Sequence, residues 1–279
     1  MILSEINIYP IKSLRGISLN EAKIERRGLQ FDRRWMLIDE NNRFLTQREF
    51  PKMATLIPEI KNDGLCVSNG KNNQIKIPFE FRFEKKERVR IWRNGCRAEI
   101  YNDSINQFFC DALQTKCRLA FMPDETKRKV NYWYKISPDD HVSFADGYPF
   151  LLIGENSLGD LNEKLKDPVP MNRFRPNFVV SGSEAFAEDG WKTIKIGGAI
   201  FHVVKPCARC VITTIEQSKG VKTGVDPLKS LASFRIPKRS VKKKILFGQN
   251  LIPENEGENL RVGDKIEVLE TKNAPEFIL

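Results

Sequence analysis

Apolar and polar residues alternate along much of the first hundred residues and again in several later segments, and a period of two predicts β-strands. Successive side chains of a strand point to opposite faces, so the alternation gives each strand one apolar face for a core. The segments with this pattern are 3–13, 33–49, 64–78, 177–182, 191–206, 209–215 and 262–270. The pattern restricts the chain to folds in which sheets form most of the core.

Turn residues and a change of period divide these strands. Asn41-Asn42 predicts a hairpin within 33–49, Gly197-Gly198 predicts a turn within 191–206, and 64–78 reads as a third hairpin. Helical spacing of apolar residues predicts three helices. They are 102–113 with Asn102 or Asp103 as the cap, 155–167, and a short helix from Asp226 with Pro227 at its first helical position.

Strands neither alternate regularly with helices nor repeat at a fixed period, which argues against a doubly wound sheet or a solenoid. We therefore predict a β-rich α+β fold with few helices, built on a partly closed barrel or a folded sheet. Polarity and charge rise across 115–130, and no Gly/Ser-rich linker interrupts the chain there. We expect one domain over 1–120 and a second over 121–279, packed together.

The net charge is +10, from 46 basic and 36 acidic residues, which favours anionic partners. The densest basic run, 237–244, is expected to be a solvated loop. Zinc-finger spacing, an RNP-type aromatic stretch and a basic helix are absent, so specific nucleic-acid binding is not expected. The sequence has no apolar run of about 18 residues and no signal-peptide pattern, which predicts a cytoplasmic protein with no membrane span.

Cys207 and Cys210 form a C-x-x-C pair that the residues alone leave open to several interpretations. The absence of a signal peptide favours reduced thiols over a disulfide. A structural zinc site needs four ligands, and only His141 and His202 could add to the pair. A redox motif needs a helix after the second cysteine, where β-branched residues predict a strand. The third interpretation is a thiolate that ligates a metal held mainly by a cofactor, stabilised by Arg209.

Six segments resemble the motifs of one family and occur in that family's order. They are YPIKSLRG (9–16), GLQFDRRWMLID (28–39), FADGYPFLLIGENSLGDLN (144–162), NRFRPNFVVSG (172–182), CARCVITTI (207–215) and LFGQNLIP (246–253). The chain resembles MOSC-domain proteins with an N-terminal MOSC partner domain, in particular the mitochondrial amidoxime reducing component and its bacterial relatives. This resemblance implies a β-barrel MOSC domain packed with a β-rich MOSC N-terminal-type domain.

The resemblance also implies a site for a molybdenum–molybdopterin cofactor. By motif match, Cys210 ligates molybdenum and is the catalytic residue, whereas Cys207 is expected to pack behind the site or shape its loop. The implied cofactor-binding residues are Lys12, Ser13, Arg33, Asp146, Gly147, Tyr148, Arg175, Asn177, Arg209 and Cys210. Arginine suits a bidentate grip on phosphate or on the edge of a pterin.

The activity that the resemblance implies is reduction of N-hydroxylated nucleobases, hydroxylamines and amidoximes. The N–OH oxygen would pass to Mo(IV), in a reaction that needs no pyridoxal phosphate. The cysteine spacing of a C-terminal plant-type ferredoxin domain is absent. A separate electron donor is therefore expected, such as a ferredoxin or flavodoxin, and the basic run 237–244 could dock it. The alternative is a molybdenum-cofactor carrier or sulfur-handling module without turnover.

Overall fold

Strands dominate the fold, as the alternation predicts. The structure is a computed structural model that describes residues 1–70, 73–83 and 85–277. Its strands are β1 Ile2–Ile8, β2 Ile17–Leu19, β3 Glu21–Glu25, β4 Gly28–Leu29, β5 Trp35–Ile38, β6 Ile57–Lys61, β7 Gly64–Ser68, β8 Gln74–Pro78, β9 Lys85–Ile91, β10 Asn94–Ile100, β11 Arg118–Phe121, β12 Phe150–Gly154, β13 Phe178–Ser181, β14 Trp191–Ile196, β15 Ala199–Ala208, β16 Ile215–Glu216, β17 Val221–Lys222, β18 Leu246–Pro253, β19 Asn259–Arg261 and β20 Ile266–Thr271. Its α-helices are α1 Asp103–Leu113, α2 Glu155–Glu163 and α3 Leu228–Phe234.

An eight-stranded sheet that curls into a half-barrel forms the larger core. Its order is β2-β1-β13-β12-β18-β15-β14-β20, and only the β12–β13 pair is parallel. Phe150, Phe178 and Phe201 pack together on it, with ring centroids 5.2 to 5.5 Å apart. Burial of each ring stabilises the fold by about 1.5–3 kcal/mol.

The first strand of the chain belongs to this C-terminal sheet. Strand β1 pairs antiparallel with β13, and β3 pairs with β19. The loop after β1 is therefore held beside the strands formed by the second half of the chain. The division into domains at residue 120 stays a prediction.

A second core lies within the N-terminal half. Residues of β5, β11, the meander β6-β7-β8 and helix α1 form it. Strands β9 and β10 pack instead in a separate cluster, on the other face of the sheet β5-β11-β10-β9. The Asn102 side chain accepts a hydrogen bond from the Ile105 N–H at 3.3 Å and caps α1 as predicted. Phe109, on the apolar face of α1, is fully buried.

The three predicted helices are confirmed with shifted ends. The hairpin predicted within 33–49 forms only in part, because Asn42 turns the chain with φ 59° but Phe44 meets β5 in a single bridge and residues 43–49 form no strand. Helix α2 ends at Glu163 instead of 167, and α3 begins at Leu228, so that Pro227 is its cap. Strands β7 and β8 form the predicted hairpin, whose turn includes residues 71–72 outside the described part of the chain. Gly197 turns the chain between β14 and β15 with φ 55°, and a Cβ there would lie 2.7 Å from a carboxylate oxygen of Asp264.

The strand predicted over 209–215 is wrong. Residues Val211–Thr214 form a 3-10 turn that begins at Cys210. The Thr213 hydroxyl donates to the Cys210 carbonyl at 3.0 Å, and the Thr214 hydroxyl donates to the Val211 carbonyl at 2.8 Å. These local bonds between side chain and backbone compete with a strand ladder, which explains why β-branched residues do not extend here.

None of the helices in the described residues is long and apolar enough to cross a membrane.

Candidate functional site

One cavity of about 510 Å³ lies where the loop after β1 meets the segments that border β12, β13 and β15. All ten residues assigned to the cofactor by the resemblance line it. They are Lys12, Ser13, Arg33, Asp146, Gly147, Tyr148, Arg175, Asn177, Arg209 and Cys210. The sheet order brings them together, because β13 and β12 are neighbours and β18 alone separates β12 from β15.

Cys210 stands at the start of the 3-10 turn, and its sulfur lies in the cavity wall. Arg48 Nη2 donates a hydrogen bond to Cys210 Sγ at 3.1 Å. The Arg48 guanidinium lies over the ring of Trp92, 4.8 Å from its centroid, and both residues also line the cavity. A guanidinium donor at this distance can balance the charge of a metal-bound thiolate, which is the form of cysteine that ligates metals.

Lys12 and Asp146 form an ion pair on the cavity wall, with Nζ and Oδ1 2.5 Å apart. Burial lowers the pKa of Lys12 to about 8, although Asp146 opposes the shift. Partial loss of water would raise the pKa of the Asp146 carboxyl, whose side chain stays 58% exposed, but the Lys12 ammonium holds this pKa well below its usual range. Trp92 Nε1 also donates to Asp146 Oδ1, at 3.3 Å. The carboxylate is therefore fixed, and Lys12 is a cation close to its titration point.

Two arginines share the buried ring of Tyr9. The guanidinium carbons of Arg33 and Arg175 lie 4.4 and 4.1 Å from its centroid, within range of cation–π attraction. Asp32 holds Arg33 at 2.6 Å, and the Asn177 side chain accepts from Arg33 at 3.1 Å. Burial lowers the pKa of Arg175 to about 10. Two like charges are thus held close together beside one cavity, an arrangement that suits a multiply charged anion.

Three of these residues have left-handed backbones. The φ angles are 68° for Ser13, 50° for Arg33 and 57° for Arg175. Such values are uncommon for residues other than glycine and cost about 1–3 kcal/mol each. The buried Gln47 side chain donates to the Ser13 carbonyl at 2.7 Å and exchanges amide hydrogen bonds with Gln217 at 3.0 and 3.1 Å. Backbone strain therefore concentrates at this cavity, where surrounding hydrogen bonds maintain it.

Arg209 links Cys207, the first cysteine of the pair, to the site. Its Nη1 donates to Cys207 Sγ at 3.1 Å, and its Nη2 donates to the Phe174 carbonyl at 2.6 Å. Cys207 itself lines the cavity, and its expected role in packing behind the site or shaping the loop stays a prediction. All six cysteines, each within the described ranges, are free thiols.

The cavity has the donors that an anionic, metal-bearing cofactor would need. Arg175 Nη2 and Arg209 Nε are buried donors with no hydrogen-bond partner among the described atoms. Buried polar groups are normally paired, so these two donors indicate a missing acceptor. Within the described lining, Asp146 is the only carboxylate and faces seven cationic side chains. The cations are Lys12, Arg33, Arg48, Arg175, Lys205, Arg209 and Lys244. This donor set, with one thiol, fits a phosphate-bearing group that carries a soft metal.

Sequence reasoning missed several residues of the cavity. Lys205 lines the cavity and precedes Cys207 by two positions, so its closeness to the cysteine motif could have identified it as a site residue. Arg48 and Trp92 lie in segments with no motif and reach the site only through the fold. Lys244 lines the cavity as well, which places one end of the basic run 237–244 at the site.

Titration of Lys12 predicts that anion binding depends on pH. Its pKa of about 8 means that the ammonium is mostly present at pH 7 and mostly lost at pH 9. Sulfate, which is a dianion at both pH values, should therefore bind up to about tenfold more weakly at pH 9 than at pH 7 in isothermal titration calorimetry. In Lys12→Arg the guanidinium keeps its proton, so the affinity should stay nearly constant. An equal loss of affinity in both proteins would contradict this assignment.

Comparisons with known proteins match most of the chain. A family model described as "MOSC N-terminal beta barrel domain" matches residues 1–116, and one described as "MOSC domain" matches residues 139–267. Mitochondrial amidoxime reducing component 2 of Rattus norvegicus is 33% identical, over 95% of this chain and 82% of that protein. Mitochondrial amidoxime-reducing component 1 of Homo sapiens is 29% identical, over 96% of this chain and 82% of that protein. A molybdenum cofactor sulfurase of Oryza sativa subsp. japonica is 32% identical, over 95% of this chain but 35% of that protein.

Proposed function

This chain belongs to the family of MOSC-domain proteins that carry an N-terminal MOSC domain, and from that premise we propose that it is a molybdenum-cofactor-dependent reductase of N-hydroxylated compounds. The observation that carries the proposal is the contact of Arg48 with Cys210 Sγ at 3.1 Å, inside a cavity lined with cations. Relatives named for amidoxime reduction match this chain over most of their length.

Each part of the cavity has a role in this proposal. Cys210 Sγ would ligate the metal, with Arg48 stabilising its charge. Lys12, Arg33 and Arg175 would bind the phosphate, because cations on fixed side chains suit a multiply charged anion. When bound, the cofactor supplies the two-electron chemistry that cleaves an N–O bond. The net reaction is R–NHOH + 2 e⁻ + 2 H⁺ → R–NH₂ + H₂O.

The remaining lining residues would set the shape and polarity of the substrate space. Trp92 and Tyr148 offer aromatic faces, and Asp146 is fixed between Lys12 and Trp92. A planar N-hydroxylated group can lie on such a face while its polar edge meets the fixed carboxylate. The chain's own contribution is therefore to bind, orient and shield the reacting group.

Turnover with a chemical reductant tests this function without a partner protein. Protein from a host that makes the cofactor would be mixed with reduced viologen and an N-hydroxylated purine, an arylamidoxime or hydroxylamine. We expect the amine, amidine or ammonia, quantified by mass spectrometry, in proportion to bound molybdenum. Molybdenum-loaded protein that yields none of the three products would rule the proposal out.

A cofactor carrier or sulfur-handling module is the second candidate. The free Cys207 thiol in the cavity wall and the similarity to a molybdenum cofactor sulfurase favour it. A carrier would transfer its cofactor to an apo-molybdoenzyme within minutes and would show no turnover in the same assay. A reductase should instead retain its molybdenum through repeated turnover.

We also propose that an acidic electron-donor protein docks at the basic run 237–244. Lys242 and Lys243 are exposed, their neighbour Lys244 lines the cavity, and Val211 beside Cys210 is exposed as well. Opposite charges across an interface raise the association rate and make it depend on salt. The donor is expected to be a separate one-electron carrier such as a ferredoxin or flavodoxin.

The same assay tests this surface when an acidic ferredoxin replaces viologen. Lys242→Glu/Lys243→Glu should raise the KM for the protein donor about tenfold at low salt and weaken the salt dependence of turnover. Turnover with viologen should not change. The control Lys61→Glu/Lys116→Glu makes an equal change of charge on the N-terminal half and should behave as wild type. Equal effects of both variants would contradict the proposed surface.

A further inference from the structure

Large side chains are exposed on one short segment beside the cavity. Tyr132, Trp133 and Ile136 have exposed fractions of 71%, 84% and 51%. We call residues 132–136 the aromatic ridge. Exposed apolar residues that stand singly are ordinary, but three within five positions form a patch of the kind that marks a binding surface.

Hydrogen bonds fix the backbone of the ridge. Residues Tyr132–Tyr134 form a 3-10 turn, and the Asn131 side chain accepts from the Trp133 N–H at 3.1 Å. Asp140 Oδ2 accepts from the N–H groups of Ile136 and Ser137 at 2.6 and 2.8 Å. A structured turn therefore holds the aromatic side chains outward. Because this segment is already ordered, binding of a ligand would cost little backbone entropy.

The ridge is continuous with the cavity. The ring of Tyr134 meets the ring of Tyr148, which lines the cavity, with centroids 6.0 Å apart. Lys205 Nζ lies 4.3 Å from the Tyr134 centroid and 5.9 Å from the Tyr148 centroid. A path of aromatic faces thus leads from the exposed ridge to the rim of the site.

Each part of this path combines a ring with a cation. Lys135 lies over Tyr132 at 4.5 Å, Lys205 over Tyr134, and Arg48 over Trp92 within the cavity. Rings that stack planar groups, interleaved with cations that bind phosphates, are how proteins hold single-stranded nucleic acid without reading its sequence. The net charge of +10 supports the same class of ligand.

We propose that the aromatic ridge binds single-stranded nucleic acid, with bases stacked on Trp133 and Tyr132 and the strand directed toward the cavity. A lipid surface is less well matched, because a flat bilayer could reach Trp133 but could not follow the aromatic path from Tyr134 to Tyr148 into a concave site. Binding of a strand to the ridge does not depend on the proposed reductase activity. Only delivery of an N-hydroxylated base within a strand rests on that function.

Fluorescence anisotropy of the full chain with a labelled single strand of about 12 nucleotides tests the proposal directly. We expect Trp133→Ala to weaken binding about tenfold and Trp133→Phe to retain most of the affinity, since each base–ring stack contributes that much. Lys135→Ala should reduce the slope of log affinity against log salt by about 0.7. The control Ile57→Ala removes an exposed apolar side chain on β6 and should bind as wild type.

Either of two results would overturn the proposal. One is no binding of poly-dT or poly-dA strands at low salt by protein that circular dichroism shows to be folded. The other is binding of anionic phosphatidylserine vesicles that Trp133→Ala abolishes while strand binding is unaffected, which would assign the ridge to a lipid surface. Neither measurement needs molybdenum or turnover, so failure here is distinct from failure of the reductase assay.

Discussion

Replacing Cys210 by alanine is expected to remove nearly all molybdenum from the protein and to abolish reduction of N-hydroxylated compounds. The sulfur lies in the cavity wall, and Arg48 Nη2 donates to it at 3.1 Å, where the guanidinium can balance the charge of the thiolate that binds a soft metal. Alanine provides no ligand in its place. The measurement is molybdenum per chain by mass spectrometry, on wild type and variant from a host that makes the cofactor.

Cys207 provides the matched control, because it is the other thiol of the same cavity. Its hydrogen-bond donor is Arg209, not Arg48, and Cys207→Ala should retain most of the molybdenum. Thermal unfolding of both variants should stay close to wild type, since neither thiol is fully buried. Wild-type molybdenum in Cys210→Ala, or its loss in Cys207→Ala alone, would show that the ligand is assigned to the wrong cysteine.

Replacing Arg235 by alanine should produce the largest loss of stability. Arg235 and Asp189 are each 3% exposed, and Arg235 Nη2 contacts Asp189 Oδ2 at 2.6 Å. Arg235 Nε also donates to the Leu246 carbonyl at the start of β18. Alanine would leave the Asp189 carboxylate buried with only Gln249 as its side-chain donor. Breaking a buried pair in this way costs about 3–5 kcal/mol, measured as the free energy of unfolding in urea.

Two further variants separate this buried pair from an ordinary ion pair. Arg261→Ala removes an arginine whose side chain is 70% exposed and which pairs with Glu21 at 3.0 Å. It should cost less than about 1 kcal/mol. Adding Asp189→Asn to Arg235→Ala should recover part of the loss, because the uncompensated charge disappears. Equal losses from Arg235→Ala and Arg261→Ala would contradict the role of burial.

Much of the candidate site was predictable because its residues sit in recognisable motifs. All ten residues transferred by the resemblance line one cavity, although their binding of a cofactor stays a proposal. The aromatic ridge was present in the sequence as a stretch of tyrosine, tryptophan and lysine, but exposure cannot be read from composition. Only the structure showed that Trp133 faces water while Tyr134 turns to the cavity rim.

The sequence by itself determined the β-rich class of the fold, most of the predicted strands, the cap of α1 at Asn102 and the family motifs, because these depend on neighbours in the chain. The tertiary structure decided which distant residues meet. Arg48 and Cys210 are 162 positions apart, and they touch because β1 pairs with β13 and places the N-terminal segments beside the C-terminal sheet. It also decided that 211–214 turns instead of extending, because the threonine hydroxyls bond to the backbone there. Local sequence patterns set the type of each secondary-structure element, whereas the order of strands in a sheet sets which distant residues are in contact. The chemistry of this cavity depends on those long-range contacts.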